Sequence, residues 1–206
     1  MISETGGCFQ EKEFGDLLLK LKRYFDSHYL VSEIPQILSQ IHRSKFIIRH
    51  DVSRCLDTAV RMAELEHSLD IRATYHFNPV SPEIHPERQQ VRNSIQAIRN
   101  FKHEVGLHLP GKNPQALKDV VLLSRKLEKY LSIPILSVSF AETHRELPPG
   151  SFFIRGKISA SSRIMMGWHV SDKTSSLTGL NPRPSESRPM LQVIIHPENW
   201  MKSEKR

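Results

Sequence analysis

The sequence predicts an α/β fold built on a mostly parallel sheet. Short apolar runs alternate with longer segments of helical spacing through the middle of the chain. Each run has strand length, and each segment between runs is long enough for the crossover helix that a parallel pair needs. The length of 206 residues predicts one domain, or at most two small ones, with a core that needs no covalent staples. Right-handed crossovers then wind the units into either a doubly wound sheet or a barrel, and the spacing leaves both open.

The elements follow in order. Phe14, Leu17, Leu18, Leu21, Tyr24 and Phe25 fall at helical spacing over residues 10–28. A short helix is expected over 33–42, with Ser32 as its cap and Pro35 in its first turn. Residues 45–50 read as a buried strand. The next helix, 54–69, carries Leu56, Ala59, Val60, Ala63 and Leu65 as a stripe, with Ser53 placed to cap it. A strand over 73–77 and a proline-punctuated loop lead to a helix over 87–101. Residues 104–109 are a strand. Asn113 and Pro114 open the clearest helix, 114–131, and 135–140 is another strand. Residues 141–190 are rich in Ser and Pro, with one strand expected near 164–170. The last strand is 191–196. The expected organisation is an N-terminal helical segment over 1–44 packed on a domain of 45–200, then a charged tail over 201–206.

Composition narrows the function classes. The apolar fraction is 38% and the charged fraction 25%, which excludes a membrane protein, a collagen-like fibre and a mostly disordered chain. Two cysteines, Cys8 and Cys55, exclude a disulfide scaffold. The N-terminus carries no basic region followed by an apolar one, so a cytoplasmic location with reduced cysteines is the expectation. The net charge of +7 favours anionic partners. Arg88, Arg92, Arg99 and Lys102 form a basic stretch, but no nucleic-acid-binding motif accompanies it, so a solvated helix face is the reading.

Eleven histidines outnumber the tryptophans and tyrosines together, and their placement is the sharpest signal. His50, His76, His108, His169 and His196 each fall at or near the carboxyl end of an expected strand. In parallel α/β folds those ends form the functional face. His103 and His108 are five apart on a strand, which excludes the helical two-histidine zinc motif and sends His103 to the opposite end of the sheet. Asp51, just past a buried strand, is either a metal ligand or a helix cap.

Four segments occur in order: Arg49-His50-Asp51-Val52-Ser53, Arg72 to Phe77, Lys102 to His108, and Val193 to Trp200. Together they resemble the polysaccharide deacetylase-like superfamily, also known as carbohydrate esterase family four or the NodB-homology domain. The likeness is to the branch whose first motif reads Arg-His-Asp-Val-Asp. It spans roughly residues 45–200. The resemblance implies an irregular (β/α)7-type barrel with mostly parallel strands. It implies a metal-dependent hydrolase that removes an acetyl group from an amino sugar or related carbohydrate. The expected cofactor is one divalent ion, zinc by its chemistry, which would polarise the acyl oxygen and activate water.

On that pattern His50 is the base, His196 the acid, and Asp172 orients His196. Asp51 and His108 are metal ligands. Lys112 stands where standard members carry a second histidine, and Ser53 where the branch carries a second Asp. The third ligand must then come from elsewhere: His144 is the assignment, with His76 and His169 as alternatives. Arg145, His76, His169 and Trp200 are assigned to substrate binding. The expected partner is an acetylated sugar or nucleotide-sugar, with no membrane contact. The alternative is a catalytically degenerate protein of the same fold that binds a glycan or a protein partner.

Overall fold

The computed structural model describes residues 8–37, 44–109, 114–140, 153–154, 157–159, 168–171 and 190–202. Its centre is a curled, mostly parallel sheet. Strand β3 (Lys45–Val52) lies between β4 (Thr74–Phe77) and β10 (Met190–Ile195). From β4 the order runs through β5 (Glu104–Leu109), β6 (Ser137–Phe140) and β8 (Lys157–Ser159) to β7 (Phe153–Ile154). β9 (Trp168–Ser171) lies on the far side of β10. All pairs on this path are parallel except β7 with β8. A two-residue strand, β2 (Ser27–His28), adds to the start of β3.

The crossovers are helical. α3 (Leu56–Ser68) joins β3 to β4, α4 (Gln89–Asn100) joins β4 to β5, and α5 (Pro114–Leu131) joins β5 to β6. These helices pack side by side, α3 on α4 and α4 on α5, with α1 (Glu11–Tyr24) against α3. One face of the sheet therefore carries the helix layer and the other curls inward. That selects the barrel-type arrangement over the doubly wound one, and the observed form is a half-barrel.

Strand periodicity divides the residues. Phe46, Ile48 and Val52 of β3, Tyr75 and Phe77 of β4, and Leu107 and Leu109 of β5 join the main core with Phe14, Leu17 and Leu18 of α1 and Met62 of α3. The alternate residues of those strands face the concave side. They include Arg49, Asp51, Thr74, His76, Glu104, His108, Ser137 and Ser139, all buried. A short 3-10 turn at Val31–Glu33 and helix α2 (Ile34–Ile37) close the amino end of this concave side. There Val31, Ile34 and Ile37 form a small second cluster with Ile47 and Met190.

Several boundaries differ from expectation. Helix α2 is described over Ile34–Ile37, with Glu33 in the preceding 3-10 turn, and the rest of the expected 33–42 helix lies outside the described residues. Ser53 does not cap α3: Cys55 holds that position with φ of 55°, and Ser53 Oγ instead meets the Asn78 amide at 3.4 Å. In the Ser- and Pro-rich stretch 141–190, where one strand near 164–170 is expected, β9 covers Trp168–Ser171 and two further small strands, β7 and β8, precede it. Met201–Lys202 is no tail but a strand, β11, paired antiparallel with β1 (Cys8–Phe9). On α4, the Arg92 guanidinium is engaged by the carbonyls of Pro86 and Glu87. No described helix is long and apolar enough to cross a membrane.

Candidate functional site

Arg49 and Asp51 stand two residues apart on β3 and so share the concave face. The guanidinium grips the carboxylate as a fork: Nε donates to Oδ1 at 3.0 Å and a terminal nitrogen donates to Oδ2 at 2.5 Å. Ser139 on β6 adds a third bond, its hydroxyl donating to Oδ1 at 2.9 Å. Burial alone would raise the Asp51 carboxyl, but the Arg49 charge, with His108 beside it, outweighs burial and holds it well below the usual carboxylate range.

Two histidines approach the same carboxylate. His108 Nδ1 lies 2.8 Å from Ser139 Oγ and 3.5 Å from Asp51 Oδ1. His196 Nε2 lies 3.9 Å from Oδ2. Asp51, His108 and His196, drawn from three strands or strand ends, thus converge at the carboxyl-end face. Among the described residues, no three His, Cys, Asp or Glu side chains are grouped so as to hold a metal ion.

His76 sits deeper on the same face, opposite Asp51 on one side and Gly106 on the other. Its ring lies across Gly106 to reach Ser137 Oγ at 3.0 Å. A Cβ at position 106 would lie 2.3 Å from the His76 ring, so only glycine leaves room for it. Burial, with Arg49 and His108 nearby, pushes the His76 pKa down to about 3, so the ring is neutral. Below it, Glu104 accepts from Thr74 Oγ1 at 3.0 Å and from the Ser32 amide at 3.1 Å. Burial raises its pKa against those bonds.

His50 does not join this cluster. The residue between Arg49 and Asp51 faces the helix layer instead, fully buried. Its Nε2 meets Glu66 Oε1 of α3 at 2.8 Å, and its ring stacks on Tyr75 with centroids 4.1 Å apart. Tyr75 donates to the other Glu66 oxygen at 2.7 Å. His103 lies beside this group at the amino end of β5. Its Nδ1 accepts from the Ala73 amide at 3.0 Å, and so its Nε2 donates to the Ala63 carbonyl at 2.9 Å.

The remaining assignments divide as follows. Trp200 is buried, its ring 5.2 Å from that of Phe14. His76 is fully buried on the concave face, its ring against Ser137. The backbone of His169 pairs opposite Gln192. His144, Arg145 and Asp172 lie outside the described residues. Sequence reasoning missed Arg49, Ser139 and Glu66. For Arg49 the signal was present: a cation two positions before an acid on a strand is a same-face pair. An open groove of about 500 Å³ lies at the opposite end of the sheet, lined by His28, Tyr29, His67, Arg72 and Phe101 among others, away from Asp51.

Comparisons with family models and with curated proteins found no match. Solved structures do match. One is the CE4 family pseudoenzyme BA3943 from Bacillus anthracis, with a TM-score of 0.52 and 15% identity over 76% of this chain and 56% of that one. The peptidoglycan deacetylase PdaC from Bacillus subtilis matches with a TM-score of 0.52 and 12% identity, over 76% of each chain. This chain has the fold of the CE4 deacetylases. The Streptococcus pyogenes deacetylase PplD, solved in complex with acetate, matches with a TM-score of 0.51 and 14% identity over 66% of this chain and 64% of that one. The chain thus spans 56% of the length of BA3943 and 64% of that of PplD. Its carboxyl-end cluster of Asp51, His108 and His196 sits on the face that carries function in such parallel folds.

Proposed function

We propose that the chain recognises an acetylated carbohydrate at the carboxyl-end face, around Asp51, His108 and His196, and that it does so as a catalytically degenerate protein of the deacetylase fold. The position of His50 carries the second half of this reading. The resemblance gave that residue the role of base. A general base must reach the proton it takes, directly or through one water. The His50 ring is on the other face of β3, stacked on Tyr75 and bonded to Glu66. Asp51 does not replace it, because a carboxyl held well below its ordinary pKa is a weak base. The fold shared with deacetylases, and PplD's acetate complex, support an acylated sugar as the class of ligand. The net charge of +7 favours an anionic form such as a nucleotide-linked sugar.

A metal-dependent hydrolase is the second reading, favoured by the convergence of Asp51, His108 and His196. The test runs both readouts on one preparation. Calorimetry with N-acetylglucosamine oligomers and with UDP-N-acetylglucosamine should show binding that His196→Ala weakens. Acetate release, with zinc added, should stay at the buffer rate. Acetate released by wild type and lost in Asp51→Asn would install the hydrolase. Absence of binding to either class of sugar would overturn the recognition reading.

A further inference from the structure

We infer that the Arg49 guanidinium is the resident cation of this site, standing where a divalent ion would be held. The inference deepens the carbohydrate reading by stating what neutralises Asp51. The two side chains are 5% and 2% exposed, so their charges are compensated by each other rather than by water. The geometry is a two-point fork on β3, with Nε on Oδ1 and a terminal nitrogen on Oδ2. An arginine is charged at every working pH and needs no loading from solution.

The donor set does not fit a metal ion. A zinc ligand oxygen sits about 2.0–2.2 Å from the ion, on a lone pair that nothing else occupies. Here three of the carboxylate's four lone-pair positions are taken: Oδ1 accepts from Arg49 and from Ser139, and Oδ2 accepts from Arg49. The His108 nitrogen nearest Asp51 is engaged as well. The Ser139 hydroxyl gives its one hydrogen to Asp51, so toward His108 Nδ1 it can only accept. The nitrogen facing Asp51 therefore carries its own hydrogen, and a lone pair remains only on Nε2. Charge makes the same point. Arg49 and Asp51 sum to zero, and a divalent ion beside them would face a buried guanidinium. Glu104, the next acid on this face, is engaged by Thr74 and Ser32 further down the sheet.

Metal content decides it. Wild-type protein exposed to zinc and desalted should hold far less than one equivalent by elemental mass spectrometry, and neither zinc nor EDTA should move its Tm. Arg49→Met leaves Asp51 without its cation. It should take up about one equivalent of zinc, seen also as a zinc-dependent rise in Tm, and lose it again when Asp51→Asn is added. Zinc held by wild type and lost in Asp51→Asn overturns the inference. So does an Arg49→Met protein that folds and takes up none. If Arg49→Met does not fold, Asp51→Asn in EDTA replaces it. A lowered Tm there supports the pair, because the buried Arg49 charge loses its carboxylate, and an unchanged or raised Tm overturns it. Sugar binding is measured separately. Its failure in zinc-free wild type would remove the carbohydrate reading and leave Arg49 in place. Zinc in a sugar-binding wild type would do the reverse.

Discussion

His50 Nε2 lies 2.8 Å from Glu66 Oε1, and neither side chain has any exposure to solvent. The bond ties β3 to α3 on the face of the sheet opposite Asp51. With Tyr75 donating to the second oxygen of Glu66, the carboxylate is satisfied at both ends inside an otherwise apolar layer. A polar group so buried is tolerated only when its partners are in place.

Glu66→Ala should therefore destabilise strongly. It leaves the His50 ring and the Tyr75 hydroxyl without their acceptor, at a cost of about 3–5 kcal/mol. Tyr75→Phe removes one donor and keeps the other, and should cost about 1–3 kcal/mol. The double variant should fall short of the sum, because both changes break one network. Urea unfolding of the three proteins measures this. Additive losses would show that the two bonds act independently.

His103 predicts an acid sensitivity. Burial lowers its pKa from 6.5, against the opposing pull of Glu66, while His50 and His67 push the same way as burial. The sign follows from the neutral ring, which accepts from Ala73 and donates to Ala63. As pH falls through 6.5 the unfolded chain takes up a proton that the folded His103 refuses, so stability drops with decreasing pH. His103→Gln should start less stable near neutral pH but lose less on acidification. Urea midpoints between about pH 7.5 and about pH 5.5 check it. Parallel slopes for the two proteins would assign the sensitivity to other groups.

The strands and crossover helices were legible because apolar run lengths and helical stripes are local signals. The face of each side chain was harder. All eight residues of β3 are buried, so burial does not separate its two sides. The neighbours His50 and Asp51 then read as one chemical pair, although a period of two sends them to opposite faces. Glu66 follows Ala59 and Ala63 at helical spacing on α3, which put an acid on the core side of that helix. Its meaning needed the register of β3 and β4, which brings His50 beside Tyr75. Ser139 likewise becomes a site residue only when β6 pairs with β5 and sets it opposite His108.

Gly106 predicts a steric coupling. An added Cβ would lie 2.3 Å from His76 Cδ2 and 2.7 Å from Ser137 Oγ. Gly106→Ala should cost about 1–3 kcal/mol or more, as overpacking of a closed interior does. Removing the ring should relieve the clash, so His76→Ala in the Gly106→Ala background should restore part of the loss. Thermal unfolding of the cycle measures the coupling. Two losses that simply add would mean that the His76 ring does not lie over position 106.

Trp200 was read as a substrate contact, and its burial predicts a different behaviour. Its ring meets Phe14 of α1 at 5.2 Å with an interplanar angle of 72°, and its carbonyl accepts from the Gln10 amide at 2.9 Å. Phe14 also presents an edge to His50 at 6.2 Å, so this one ring links α1, the 3-10 turn Pro197–Trp200 and β3. Phe14→Ala should cost about 3–5 kcal/mol through the cavity it leaves. It should also shift Trp200 emission to longer wavelength as water reaches the indole. Trp200→Phe should lower stability but leave affinity for the sugar probes unchanged, since the ring is covered by α1 rather than open to the carboxyl-end face. A Trp200→Phe protein with native stability and weakened sugar binding would return this residue to the ligand site.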